Sequence, residues 1–251
     1  ILRLIIVAAL IAGGCLIWQN RDSISPENLI YWLNNKLAGE QTGGGFSENI
    51  TGSSVKSMLR VKEGLALLTD TSLTLYNNKG GRLFQRQHGF ASPIVRAAGK
   101  WILVYDAGGN GLRLETLAST TWEKSVDNRI TSAALSNDGL YALVTDSSEG
   151  YTSEIIAYNR YGEKIYHWVS AELTFLDVAL SPDGKSLAAV GVTAQSGAMK
   201  SSLLIFDLNK EKPVAQYDSN SVMLFAIEYF PSGTMAAVGN GEIWVCNKSG
   251  S

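Results

Sequence analysis

Three stretches of this 251-residue chain are variants of one another, and that repetition limits the possible folds more than any other feature. Positions 178–190 read Val-Ala-Leu-Ser-Pro-Asp-Gly-Lys-Ser-Leu-Ala-Ala-Val, and positions 133–144 read Ala-Ala-Leu-Ser-Asn-Asp-Gly-Leu-Tyr-Ala-Leu-Val. A third copy, Ile-Glu-Tyr-Phe-Pro-Ser-Gly-Thr-Met-Ala-Ala-Val, occupies 227–238. Each reads as a strand, a tight turn whose Gly takes a positive φ, and a second strand of small and β-branched residues. A third strand follows in each unit, at Leu73–Tyr76, Ile155–Tyr158, Leu203–Phe206 and Ile243–Val245, ending on Asn or Asp residues suited to starting a turn. Fourth strands follow at 82–86 and 164–169. Four antiparallel strands in ~40 residues is the unit of a β-propeller blade, so the sequence predicts an all-β propeller.

Blades are expected to start near 53, 91, 129, 172 and 219, and the last stops after its third strand. An unfinished blade leaves an open edge and an apolar face, which soluble proteins avoid. Either Phe46–Ile50 supplies the missing strand or the chain continues. The sequence favours continuation, with about five blades present of a ring of seven or eight, and the absence of an initial Met agrees with it.

The first 20 residues differ from everything that follows. No charge interrupts Leu4 to Trp18, and Ile1 and Leu2 extend the run past Arg3. A helix over 1–18 would reach about 27 Å, enough to span a bilayer core of roughly 30 Å if Arg3 snorkels. The alternatives are a cleaved signal peptide, a lipoprotein signal ending at Cys15, and a buried soluble helix. Ala12 stands three before Cys15 where a Leu-like residue is usual, the apolar run continues through Leu16, Ile17 and Trp18, and no small-x-small site precedes a polar start. A retained anchor over 1–20 is therefore the expectation. Ser25-Pro26-Glu27 then starts a helix, and Leu29, Ile30, Leu33 and Leu37 recur at helical spacing, giving a short amphipathic helix over 25–38. That helix lies on the membrane, binds a partner or packs on the domain. Residues 39–52, glycine-rich, read as a tether to a propeller domain over 53–251.

Chemistry is sparse. Net charge is −2 at a sequence pI near 5.8, so the chain carries no overall electrostatic footprint for nucleic acid. Only His88 and His167 are available, neither in a metal-ligand spacing, and no strand-to-helix Gly-rich loop would cradle a phosphate. No catalytic residue, metal ligand or cofactor is therefore assigned. His88, beside Arg86 in a turn between blades, either presents a ring nitrogen at a surface cleft or bonds backbone carbonyls between blades. Asp70, Asp106 and Asp146 recur at the ends of second strands, on one rim of the ring. They are candidates for a cation or cationic ligand, with turn capping as the structural alternative. The candidate binding residues are thus Arg86, His88, Asp70, Asp106 and Asp146.

Ser-Pro-Asp-Gly followed by Leu-Ala-Ala-Val resembles the repeats of WD40-like and YVTN-type propellers. More narrowly, Arg86-Gln87-His88-Gly89-Phe90 and Tyr105-Asp106-Ala107-Gly108-Gly109, with the anchor and the Pro-Glu-Asn-Leu helix, resemble DUF5711, a family of uncharacterised membrane-anchored propellers of Clostridia-type bacteria. That resemblance covers nearly the whole chain. It implies a single-pass membrane protein with an extracytoplasmic propeller and no established activity. The combined expectation is a non-enzymatic module binding or scaffolding a protein or an envelope glycan, the alternative being a small-molecule or metal sensor or enzyme with its site in the propeller channel.

Overall fold

In a computed structural model, the described residues are 53–247 except 62–63, 148–149 and 196, together with positions 33 and 50. The expected anchor, the Phe46–Ile50 strand and the amphipathic helix fall outside them except at Leu33 and Ile50. Among the described residues no helix is long and apolar enough to cross a membrane.

Sheet 1 contains β1 (Val55–Val61), β2 (Gly64–Thr69), β3 (Ser72–Asn77) and β4 (Arg82–Gln87), and sheet 2 contains β5 (Pro93–Ala98), β6 (Trp101–Asp106), β7 (Gly111–Thr116) and β8 (Thr120–Ser125). Sheet 3 contains β9 (Ile130–Leu135), β10 (Tyr141–Thr145), β11 (Ser153–Tyr158) and β12 (Lys164–Ser170). Sheet 4 contains β13 (Thr174–Leu180), β14 (Ser186–Gln195), β15 (Ala198–Asp207) and β16 (Ala215–Ser219), and three strands, β17 (Leu224–Tyr229), β18 (Met235–Gly239) and β19 (Ile243–Cys246), form sheet 5. Within each sheet the strands pair antiparallel in chain order, and the first strands β1, β5, β9, β13 and β17 pack side by side in succession. The architecture is all-β and propeller-like.

The repeated motif is the hairpin between first and second strands, as its sequence predicts. In sheet 3 the Gly139 N–H donates to Ser136 O at 3.1 Å and Leu140 N–H to Ser136 Oγ at 3.1 Å. Gly184 and Ser186 repeat the arrangement on Ser181. The third strands occur where expected. The fifth unit starts at Leu224 and not near 219, because Ala215–Ser219 closes sheet 4 against β15. That strand is polar and mostly exposed, so it lacks the apolar signal that marks its counterparts.

Four apolar cores lie between successive sheets. Leu68, Leu73 and Leu75 of sheet 1 meet Val95, Ile102 and Val104 of sheet 2, and Leu103, Leu112 and Leu114 meet Ile130, Tyr141 and Leu143 of sheet 3. Val144 and Ile155 meet Phe175 and Leu187, and Leu203 and Ile205 meet Leu224, Ile227 and Met235. Between sheets 2 and 3, the Lys124 ammonium lies 4.6 Å from the Tyr158 ring centroid and 4.8 Å from that of Trp122, a cation–π latch at the periphery. Four of the five first strands carry a bulge near their start, leaving Lys56, Thr131, Leu176 and Phe225 out of register.

Gly139 combines two constraints: its φ is 81°, and a Cβ there would stand 2.6 Å from the Trp101 indole. Gly197 has the same φ with open space around it. Gly197→Ala is expected to cost about 1 kcal/mol from backbone strain, and Gly139→Ala roughly 2–4 kcal/mol, read as a larger drop in the urea midpoint.

Candidate functional site

The three candidate aspartates stand on one rim, where second strands end and first strands begin. Asp70 accepts the Ser54 N–H at 3.0 Å, Asp106 accepts the Ser92 N–H at 2.6 Å, and Asp146 pairs with Arg129 Nε at 2.8 Å. Asn240 does the same in sheet 5, accepting the Met223 N–H at 2.7 Å. These contacts fasten the segment entering each sheet to the turn leaving its second strand, which is the capping geometry expected of Asx residues. His88 lies near two of them. Its Nε2 stands 3.1 Å from Thr69 O, within sheet 1, and its ring stacks on Phe90 at 5.5 Å. Burial lowers its pKa, against the opposing pull of the Thr69 carbonyl, Asp106 and Asp70. The structure therefore brings Asp70 and Asp106 within electrostatic reach of His88 and leaves Asp146 in sheet 3.

Arg86 belongs to a different cluster. Its Nη1 meets Glu115 Oε2, its Nη2 donates to Ala118 O at 3.0 Å, and its guanidinium lies 3.6 Å from the Phe84 ring centroid. Arg113 Nε stands 2.7 Å from the other Glu115 oxygen, and Arg113 Nη1 donates to Gln87 O at 2.7 Å. Glu115 is completely buried, so one carboxylate joins two guanidinium groups and welds sheet 1 to sheet 2.

A third set lines the inner strands. Arg96 Nε on β5 donates to Ala133 O on β9 at 3.0 Å, Ser132 Oγ donates to Asp177 on β13 at 2.5 Å, and Asp177 accepts the Ile227 N–H of β17 at 2.9 Å. Each link runs from one sheet to the next. Arg96 and Glu228 also border a hollow of about 50 Å³, floored by Ala97, Ala134 and Ala179, and no ion pair joins them among the described residues. Burial raises the Glu228 pKa, opposed by Arg96 and reinforced by Asp177. Arg96, Asp177 and Glu228 are absent from the sequence-derived candidates. Their signal was a charge inside an otherwise apolar first strand, as in Phe175-Leu-Asp177-Val-Ala.

The larger hollow, about 160 Å³, opens on the rim between sheets 4 and 5 and is lined by Met199, Lys200, Ser201, Asn220, Met223 and Asn240. It exists because β14 and β15 run 10 residues each, twice the 5 of β10, and carry Met199 beyond the neighbouring strand ends. Met199 is 49% and Met223 36% exposed. Lys200 Nζ pairs with Asp218 at 2.8 Å on its flank. Burial works to raise the Asp218 pKa, but Lys200, Gln216 and Ser202 all donate to the carboxylate and hold it at about 2. Among the described residues no group of three His, Cys, Asp or Glu side chains is placed to hold a metal ion.

The model of a family of unknown function, DUF5711, matches residues 46–251. The chain belongs to that family. Comparison with curated proteins returns no match. Among solved structures, this DUF5711 member resembles Hsv2 of Kluyveromyces lactis, a β-propeller, with TM-score 0.57 at 12% identity over 77% of this chain and 61% of that one. It likewise resembles Hsv2 with loop 6CD replaced by a Gly-Ser linker, with TM-score 0.56 at 13% identity over 77% of this chain and 64% of that one. A third Hsv2 structure, with the complete loop 6CD, gives TM-score 0.54 at 13% identity over 77% of this chain and 68% of that one. The chain thus spans less than two-thirds of the length of the first two, and at such identity the likeness is one of fold alone.

In this DUF5711 chain the buried charges hold sheets together, while the rim hollow presents unburied apolar groups. Glu115→Ala strands two guanidinium groups and is expected to cost about 3–5 kcal/mol in chemical denaturation, far more than replacing Glu115, Arg86 and Arg113 together by Leu and Met. The Asp218 pKa is depressed from 3.8, so its stabilising contribution is complete above that value and disappears as pH falls toward about 2. Asp218→Asn should flatten the acid limb of the stability–pH curve over that interval.

Proposed function

We propose that this protein is a membrane-tethered, extracytoplasmic binding module, a non-enzymatic scaffold that holds a protein or an envelope glycan on one rim of a propeller. In this reading residues 1–20 anchor the chain in the cell membrane as a single pass, 25–38 form an amphipathic helix at the membrane surface, and 39–52 tether the domain over 53–251. The uninterrupted apolar run from Leu4 to Trp18, followed by polar Gln19, Asn20, Arg21 and Asp22, supports the anchor. The five sheets are read as about five blades of a larger ring of seven or eight, and the length of the Hsv2 chains supports that count.

The observation that carries the binding role is the rim hollow. Its two methionines are flexible, polarisable and exposed, which suits adaptable apolar contact, and Lys200, Asn220 and Asn240 add polar groups around them. Retention of an envelope protein or wall glycan by the immobilised protein, lost on the paired Met199→Asp and Met223→Asp exchange with the fold intact by circular dichroism, is the expected result. Equal retention by both proteins, or by neither, counts against the role. Protease added to intact cells should cut the domain, and protection would place it inside.

One observation favours a ligand sensor as a second reading: Arg96, whose guanidinium also stands 3.9 Å from Asp177, and Glu228 border the small hollow with no ion pair between them. A small zwitterion bound there would be lost on Arg96→Ala in a calorimetric titration, with the rim untouched.

A further inference from the structure

One wall of the rim hollow is made of main chain. On β15, pairing with β14 continues to Ala198, whereas pairing with β16 stops at Ser201 opposite Ser219. Ser219 Oγ accepts the N–H groups of Ser221 and Val222 at 3.2 and 2.9 Å, and this turn carries the chain away from β15 toward sheet 5. Ala198, Met199 and Lys200 are thereby left as an edge with no strand beside them.

The ladder fixes where the backbone of that edge points. Successive residues of a strand direct their N–H and C=O groups to opposite sides. Ile205 O accepts the Val214 N–H on the β16 side, and Leu208 N–H donates to Lys185 O on the β14 side. Counting back two residues at a time, the main-chain groups of Leu203, Ser201 and Met199 face the β16 side. Among the described residues neither the N–H nor the C=O of Met199 has a hydrogen-bond partner. The side chain is equally placed. Ser201 Oγ donates to Val222 O at 2.5 Å and accepts the Leu224 N–H at 3.2 Å, so the face that Ser201 shares with Met199 is turned to sheet 5 and the hollow.

An outward N–H and C=O on one residue match the two bonds exchanged by a close pair in an antiparallel ladder. A residue making both bonds lies opposite Met199 with its own side chain on the same face, and that side chain enters the hollow. A volume of about 160 Å³ is well below the roughly 300–1,000 Å³ of a site that encloses a whole small ligand, and it suits one side chain. We infer that the rim takes an extended apolar peptide segment of a partner protein, added as a strand antiparallel to β15, with one residue bonded to both main-chain groups of Met199 and its side chain seated between Met199 and Met223. A sugar chain has no backbone N–H and C=O repeating at strand spacing. The inference rests on the hollow as the binding surface, and it selects the protein over the glycan.

Capped ten-residue peptides with apolar residues at alternate positions, and N-acetylhexosamine oligosaccharides beside them, are the probes, and the tightest peptide is titrated by fluorescence anisotropy. Met199→Pro removes the outward N–H and leaves the β14 ladder intact, whereas Met199→Leu keeps that N–H. Met199→Pro is expected to bind about 10-fold more weakly than Met199→Leu, and N-methylation at one peptide position to cost as much. Ala194→Pro, which removes an N–H on the opposite edge beyond the last β13 pair at Val192, should leave affinity unchanged. Equal affinity of Met199→Pro and Met199→Leu, or tolerance of N-methylation at every position, overturns the inference. Retention of the oligosaccharides alone, lost on the paired Met199→Asp and Met223→Asp exchange, also overturns it while leaving the rim as a binding surface. Retention of neither probe removes the rim reading, and the inference falls with it. A dimer in sedimentation velocity that dissociates on Met199→Pro puts a second copy on the edge and overturns the peptide as occupant. Circular dichroism of each variant separates lost binding from misfolding.

Discussion

A small antiparallel sheet with two apolar faces is not stable by itself, and the whole organisation of this protein follows from that. Sheets 1 to 4 each cover one face with the next sheet, so stability is shared among four intersheet cores and has no single centre. Such sheets adhere through non-directional burial, which does not by itself fix how one sits on another. The charged and hydroxyl groups supply that orientation: Glu115 between two arginines at the periphery, and the Arg96, Ser132 and Asp177 contacts near the axis. Their value is geometric, since a buried ion pair gains little over a well-packed apolar substitute.

This explains why the most conspicuous charges have partners within the fold. Arg86 is consumed by a weld between sheets, His88 by a carbonyl inside sheet 1, and Asp70 and Asp106 by backbone N–H groups at their own turns. The exposed apolar side chains of Met199 and Met223 sit where strands overrun their neighbours, on the rim between sheets 4 and 5. There a continuously paired hairpin carries unbranched methionine side chains, which suit adaptable apolar contact.

The repeats were legible because each hairpin needs a turn glycine and each buried strand needs apolar residues, and both leave a mark in sequence. Gly139, Gly184 and Gly233 identify three hairpins directly, each with φ above +60°. The exposed strand Ala215–Ser219 left no such mark, which displaced the expected start of sheet 5. The site was less legible. Arg96 and Ser132 meet partners 37 and 45 residues away, and a long-range contact of that kind is set by how sheets stack, not by any local pattern. The rim hollow depends on strand length, and Ala198-Met199-Lys200-Ser201 does not announce a strand that overruns its neighbours.

The long β14–β15 hairpin shows how such a protein can change the shape of its rim. Its pairing is unbroken from Ser186 opposite Asp207 to Gln195 opposite Ala198, so the outer part extends the tip in register with every pair beneath it. A hairpin lengthened at its tip keeps the inward and outward alternation of every earlier residue. Reach on this rim is therefore adjustable in steps of one residue pair, decoupled from the cores below. Growing or trimming such a tip reshapes the rim, while the stacked sheets and their interlocking charges stay as they are.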